Sequence, residues 1–443
     1  MNSNKQLIRY LIWAYFLLII LEGALRKWVL PGLATPLLVV RDPIAVLIFV
    51  LGLPYLLKNT YALVLIAFGA FCIPLALATG HGSLPVALFG ARILILHLPI
   101  IFIFPAVFDR EDVWQFAKAT LLITLGMTAL LILQYSLPQS HFVNIGIGGE
   151  GSSGFSAALG RYRSSGTFAF TNGVSLFYAL SATVFAAWVL SGSRKVPLWI
   201  WASAACLLLS VPLSISRSLA FSYGLIGLFV LLSGGVSSRN LGRMGMAGLL
   251  LLVILLPLSQ TPIFQDSLEA FQARWEMATE AEGEGEGVQG VLENRVLGGF
   301  TAPFEQFKRL PLVGYGIGIG TQAGTFLYFG RRGFLLGEGE WVRTIGELGF
   351  VLGFLYLGLR LWMAVLLGLK ALNQLRAGNV APFILTPMPA IWLIMGDTGQ
   401  PTALGFLVVA AGLWAASFVE PPAMEAELSA EEIREENGEK VAS

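Results

Sequence analysis

Runs of about twenty apolar residues recur along nearly the whole chain, and no other feature narrows its fold so far. Crossing the hydrocarbon core of a bilayer takes roughly 20 apolar residues as a helix. Segments of that kind lie near 7–25, 36–57, 60–79, 84–107, 113–136, 171–191, 197–213, 217–233, 241–258, 341–368, 380–396 and 401–418. These runs lack the period-two alternation of a membrane β-barrel, and in lipid a helix satisfies its own backbone hydrogen bonds. The expected fold class is an all-α integral membrane protein of about twelve transmembrane helices. Composition agrees, because 443 residues that are 56% hydrophobic and 12% charged, with a mean hydropathy of +0.74, exclude a water-soluble globule. A net charge of +1 gives no general attraction to nucleic acid. Cys72 and Cys206 stand in apolar stretches with no Cys or His beside them and read as packing residues, with neither a disulfide nor a metal site indicated. The opening MNSNKQLIRY with LIWAYFLLIIL resembles a signal peptide, but no small-residue cleavage site follows, so it reads as the first span.

Basic residues orient the bundle. Lys5, Arg9, Lys58, Arg110, Lys118, Arg194, Lys195, Arg239, Arg243, Lys370 and Arg376 fall in short connections on one side, which predicts that side, with both termini, to be cytoplasmic. The chain then divides into spans one to nine over 1–258, a long outer segment over 259–340, spans ten to twelve over 341–418, and an acidic, disordered tail over 419–443. A second outer segment lies at 138–170.

Those outer segments carry Arg161, Arg163, Arg274, Arg295, Lys308, Arg309, Arg331 and Arg332, on a face where basic residues are usually depleted. One reading is that they pair with Asp266, Glu269, Glu276, Glu293 and Glu305 on a solvated loop. The other is an anionic partner, since guanidinium matches phosphate oxygens bidentately at a membrane face. Charges also sit within or beside the apolar runs, where they are costly and are functional candidates by default. Glu22, Arg26, Lys27, Arg41, Asp42, Arg92, His97, Arg217, Arg343, Glu347 and Asp397 make up that set. Arg41 and Asp42 are expected to neutralise neighbours within the bundle, Arg26 and Lys27 to snorkel to the interface, and His97 to be a satisfied interior residue. Arg217 is read as functional, because Ser214, Ser216 and Ser218 around it allow close helix approach and keep an embedded arginine hydrogen-bonded. Gly314, Gly316, Gly318 and Gly320 alternate too regularly for a helix; they suit either close backbone approach to a ligand or a hinge and packing segment.

Taken in order, RYRSSGTFAFTNGVSLFYAL at 161–180, SISRS at 214–218, RLPLVGYGIGIGT at 309–321 and GEGEWVRTIGELGFVLG at 337–353 resemble the O-antigen ligase and Wzy-type polymerase superfamily. A Pro-x-x-Gly-x-Gly element (Pro311, Gly314, Gly316) precedes an acidic position and a Glu-x-Gly-x-x-x-Gly helix (Glu347, Gly349, Gly353), as it does there. EGALRKWVLPG at 22–32 with RDP at 41–43 further resembles a branch of exopolysaccharide polymerases.

The resemblance implies a long periplasmic loop between spans nine and ten, and a glycosyltransferase of the bacterial inner membrane. It would move a glycan from a polyprenyl diphosphate to an acceptor sugar hydroxyl, with no metal or other cofactor, beside flippase and chain-length regulator proteins. Such chemistry needs a cationic cradle for the departing diphosphate and a base near the acceptor. Arg161, Arg163, Arg217, Arg274, Arg295 and Arg343 are the expected diphosphate contacts; Glu338, Glu340 and Arg217 are the expected catalytic residues. Ligase-type relatives carry a histidine near Glu338, and this chain has none after His141, so the base is open between Glu338 and Glu340. The polymerase reading stands against a ligase with a lipid-core or protein acceptor. Outside the enzyme class, a transporter or flippase of lipid-linked glycans is weakened by the lack of a repeat between the two halves, and a scaffold by the cost of embedded charge.

Overall fold

In the computed structural model of the protein the described residues are 2–147, 156–192, 196–235, 238–282, 313–330, 333, 335–337 and 339–419. Glu338, Arg295, Lys308, Arg309, Arg331 and Arg332 lie outside them, as does the tail from 420 onward. The described chain is helical, in the order α1 (Asn2–Ala24), α2 (Asp42–Leu56), α3 (Thr60–Ala78), α4 (Leu84–Arg92), α5 (Phe104–Val107), α6 (Arg110–Ser136), α7 (Thr171–Ser191) and α8 (Leu198–Ser214). There follow α9 (Arg217–Gly234), α10 (Ser238–Ser259), α11 (Pro262–Glu282), α12 (Gln322–Phe329), α13 (Glu340–Arg376), α14 (Ala381–Ile384), α15 (Pro387–Met395) and α16 (Pro401–Ala416). Nine helices among the described residues are long and apolar enough to cross a membrane, and 198–214, 381–395 and 401–416 are shorter apolar helices.

Local signals set the ends. Asp109 caps α6, its Oδ1 accepting from Asp112 N at 2.9 Å while Asp112 Oδ2 accepts from Asp109 N at 3.0 Å. Asn59 Oδ1 caps α3 by accepting from Ala62 N at 3.0 Å. Gly192, left-handed at φ 60°, ends α7. α7 is central, with 89% of its apolar window buried against protein, whereas only 6% of the α10 window is. Along the α6–α7 seam Thr124 Oγ1 donates to Ser181 Oγ at 3.0 Å, and the Thr128 and Tyr178 hydroxyls share a bond at 2.6 Å. Small hydroxyl residues thus let these helices close with their own hydroxyls paired.

Contacts far apart in sequence sort into two ends of the bundle. At one, Arg9 pairs with Asp112 at 3.0 Å, Arg110 donates to Asn379 at 3.1 Å, and Arg243 donates to the Leu190 and Ser191 carbonyls that finish α7. At the other, Thr167 Oγ1 donates to Ile20 O, His81 N to Tyr315 O, and Asn172 to Gln400. The segment 164–169 does not trail into solvent as a loop. Its backbone lies directly on α1, so close that a Cβ at Gly23 would collide with Phe168 and Ala169. The hydrophilic stretch after residue 259 also opens on a helix, α11, which buries Phe264, Ser267 and Ala270.

Candidate functional site

At that second end several polar elements are sunk into the bundle. The deepest is the start of α13, where Glu340, Arg343, Thr344 and Glu347 fall at helical i, i+3, i+4 and i+7 spacing and share one stripe. Arg343 Nη2 lies 2.7 Å from Glu340 Oε2, its Nη1 2.8 Å from Glu347 Oε2, and its Nε 3.8 Å from Asp397 Oδ1. Glu340 also ion-pairs with Arg360 and accepts from the Thr398 backbone N at 3.0 Å and the Thr398 hydroxyl at 2.8 Å. Arg360 donates in addition to the carbonyls of Leu393, Trp392 and Gly396, the free carbonyl end of α15.

Twenty residues separate Glu340 from Arg360, a rise of about 30 Å in a straight helix. They meet because α13 is two helices. Gly349 adopts φ 75°, ψ 178°, a conformation open in practice only to glycine, and folds 340–348 back along the following turns. A Cβ on Gly353 would sit 3.0 Å from the Ile345 Cα, so the two limbs lie backbone to backbone. The first limb is therefore re-entrant. Non-spanning backbone of this kind is tolerated at membrane depth only inside protein, and Val342 through Gly349 are all buried.

The glycine run crosses this fold. Tyr315 N donates to Gly346 O and Gly316 N to Glu347 O, both at 2.8 Å, and Gly320 N donates to Glu347 Oε1 at 2.9 Å. Gly314, Gly316 and Gly318 have φ of 72°, 96° and 92°. Gly318 lies against Val86 O and Gly90 on α4, and Gly314 against Gly349, with no room for a side chain at either. The close approach that the alternation predicts is thus made to protein backbone, not to a ligand, and the run is a packing segment.

Beside it is the α8–α9 turn. Ile215 is fully buried and left-handed at φ 47°, a strained conformation for a β-branched residue, and it reverses the chain in two residues. Ser216 caps α9, and its hydroxyl bonds Ser175 Oγ on α7 at 2.7 Å and Ser218 Oγ at 3.0 Å. Arg217 follows, 8% exposed, in the first turn of α9. One turn on, Phe221 packs against Trp275 of α11, the residue after Arg274, with ring centroids 5.4 Å apart. The first turn of α7 joins the two halves of the site: Asn172 Nδ2 donates to Gln400 Oε1 at 3.1 Å, and Ser175, three residues on, holds Ser216. At seventeen and sixteen residues, α8 and α16 rise only about 24–26 Å against a core of about 30 Å.

A second buried network adjoins the 397–400 turn. Glu22 pairs with Arg26 at 3.1 Å and Arg41 at 3.3 Å, and Arg41 donates to Pro401 O. Asp42 pairs with Arg92 at 2.6 Å and with His97 Nε2 at 3.1 Å, while His97 Nδ1 bonds the Tyr15 hydroxyl at 2.9 Å. The expectations for Arg41, Asp42 and His97 hold. Arg26 and Lys27 do not snorkel: at 4% and 3% exposure both turn inward, because a π-helical turn at Leu25–Val29 rotates them off the lipid face.

The expected site residues fall into three groups. Arg217 lies on α9 one turn before the Phe221–Trp275 contact with α11, the helix that carries Arg274, and the first turn of α7 links the Arg217 turn to the network of Glu340 and Arg343. Arg161 is largely exposed and sits 4.0 Å from Asp266, the solvated pairing that was the plainer of its two readings, and Arg163 is half-buried nearby. Glu338 and Arg295 are outside the described residues. Glu340 and Arg343 differ from expectation in kind, since each is closed in by opposite charge, and a carboxylate held by two guanidinium groups and Thr398 is built to position its neighbours. Asp397, with 18% of its side chain exposed, is the more open carboxylate of this wall. It was visible only as an embedded charge, since nothing in sequence ties it to Arg343. Among the described residues no His, Cys, Asp and Glu side chains gather into a set able to hold a metal ion. In comparisons with known proteins, no family model matches the chain and no curated protein matches it.

Proposed function

We propose that the chain is a glycosyltransferase of the bacterial inner membrane that polymerises polyprenyl-diphosphate-linked oligosaccharide units into O-antigen or exopolysaccharide. In this reading the twelve apolar helices are twelve spans, both termini are cytoplasmic, and the end that carries Arg217 and the Arg343 network faces the periplasm. The observation that carries it is the linking of the Arg217 turn to the Arg343 network through one turn of α7, which puts a buried arginine and a cation–carboxylate network at the same end of the bundle. The ordered resemblance across residues 161–353 supports the same chemistry.

An acceptor hydroxyl oxygen attacks the anomeric carbon of the donor. The bond from that carbon to the diphosphate oxygen breaks, and polyprenyl diphosphate leaves with the bonding pair. Arg217, with Arg163, Arg274 and Arg295, receives the charge that develops on the leaving group. Glu338 or Asp397 takes the proton of the acceptor hydroxyl. Glu340, Arg343 and Arg360 hold the 397–400 turn at its place.

Purified protein in nanodiscs, given lipid-linked repeat units, is expected to release polyprenyl diphosphate and form a ladder of longer glycans, with the ladder lost in Arg217→Ala. Product only with a lipid-core or protein acceptor would make it a ligase. A transporter is the second reading, favoured by the chain of ionisable groups from Glu22 to His97 inside the bundle. Lipid movement across vesicles without any new glycosidic bond would establish it and sink the enzyme.

A further inference from the structure

A short helix within the stretch expected to be a loop outside the membrane ends in bare apolar side chains. α12 carries no charged residue, and Phe326, Leu327, Tyr328 and Phe329 at its end are 38–52% exposed. Four large apolar side chains in a row are a costly surface to leave in water. The helix is nonetheless firmly held. Thr321 Oγ1 caps it by accepting from Gly324 N at 2.9 Å, Gly330 closes it at φ 68°, and Gly324 and Thr325 are buried.

Its depth follows from what it rests on. A Cβ on Gly324 would strike Gly318 O, and one on Gly318 would strike Val86 O and Gly90 N of α4. Gly90 is six residues into α4, about 9 Å along the axis from Leu84, and Leu84 to Ala91 is entirely apolar. The apolar span that α4 opens runs from Leu84 to Val107. α12 therefore starts beside the first turns of a span. Its last turn lies at the α3–α4 connection, where the Tyr328 and His81 rings meet edge-on with centroids 5.9 Å apart. These contacts set the helix at the rim of the apolar belt, the level at which aromatic side chains with a polar tip collect.

The arrangement of the four residues decides what covers them. Consecutive positions on an α-helix turn by about 100°, so Phe326 to Phe329 spread over roughly 300° of the circumference. They form a ring, not the i, i+3, i+4 stripe that fits a groove on another protein. A ring suits a fluid that closes around the helix. We infer that α12 is an interfacial anchor, its last turn seated among the acyl chains and headgroups of the bilayer. Thr321 alone separates it from Gly320, whose N–H binds Glu347, so the anchor fixes the glycine run, and with it the Arg343 network, at the lipid boundary. Nothing in this depends on a glycan or on its transfer.

The test uses full-length protein with Cys72 and Cys206 replaced, reconstituted in phospholipid vesicles, with a polarity-sensitive fluorophore on Leu327→Cys, Phe329→Cys or Tyr162→Cys. Leu327 and Phe329 point to opposite sides of the last turn, about 200° apart. Tyr162, exposed between Arg161 and Arg163, is the aqueous reference. Quenching is read with a phospholipid that carries a nitroxide high on its acyl chain, and with iodide in the water. Both α12 labels are expected to emit blue-shifted, to be quenched several-fold more than the Tyr162 label by the nitroxide lipid, and several-fold less by iodide. Iodide quenching of Leu327 and Phe329 equal to that of Tyr162 would overturn the anchor. Shielding of either label from both quenchers would overturn it in favour of a protein seated on that side. Loss of nitroxide quenching when polyprenyl diphosphate is added would overturn it in favour of the polyprenyl chain. Two exposed positions are labelled so that misfolding of one variant leaves the other to decide, and because no turnover is read, the anchor and the proposed reaction fail separately.

Discussion

Arg343 and Glu347 form a buried pair at 2.8 Å, and the other Glu347 oxygen receives the backbone N–H of Gly320 at 2.9 Å. One side chain thus ties the re-entrant limb of α13 to the glycine run that packs on α4.

Arg343→Met should therefore be costly out of proportion to the charge removed. It leaves Glu347 buried with no cation, and breaking a buried pair from one side costs about 3–5 kcal/mol. Adding Glu347→Gln should return part of that loss, because no uncompensated carboxylate remains. Thermal unfolding in detergent would show the double variant above the single one; a double variant equal to or below Arg343→Met would mean that the two residues are not coupled.

Glycine substitutions should rank by surroundings. Gly318→Ala forces a Cβ into Val86 O at a φ of 92°, and strain of that kind costs about 1–3 kcal/mol before any collision is relieved. Gly330→Ala also demands positive φ, at 68°, but its Cβ meets nothing within 4 Å, so its loss should stay near about 1 kcal/mol. The same unfolding assay would rank the two, and the reverse order would contradict the packing role given to the run.

Arg217 should separate catalysis from stability. Arg217→Lys keeps the charge and the buried aliphatic stem but loses the planar fork. Turnover of lipid-linked substrate is expected to fall by on the order of 10²-fold with little change in unfolding temperature. A drop in unfolding temperature matching the loss of turnover would reduce Arg217 to a structural residue.

Sidedness follows from the two ends. With Cys72 and Cys206 replaced, Tyr162→Cys should react with a membrane-impermeant maleimide on intact cells, and Arg376→Cys only after permeabilisation. The opposite pattern would invert the proposed orientation.

The helices were legible because lipid-length apolar runs carry their own signal, and all twelve runs appear as apolar helices. Arg41, Asp42 and His97 were read as internally neutralised because charge at that depth leaves few alternatives. What escaped was the fold-back of α13: Gly349 is one glycine among 50, and nothing in the sequence marks its φ of 75° or the contact of Glu340 with Arg360 that follows from it. α11 was missed although Phe264, Leu268, Phe271 and Trp275 recur at helical spacing, because the acidic residues between them lowered the local hydropathy. The cross-chain partners were invisible for a simpler reason. Arg41 with Pro401, and Arg110 with Asn379, are hundreds of residues apart, and pairing at that range is a property of the folded bundle.

The fold-back at Gly349 also sets an order of assembly. A ribosome delivers Glu340, Arg343 and Glu347 to the membrane before Trp392, Leu393 and Thr398 exist. Each such charge opposes insertion by up to about 3 kcal/mol at mid-bilayer. The re-entrant limb has no reason to enter lipid by itself; it is drawn in when α15 and α16 arrive with carbonyls and a threonine to receive it. α15 and α16 are in this sense the lock of the candidate site, and a nascent chain released before them would leave Glu340 and Arg343 without Thr398.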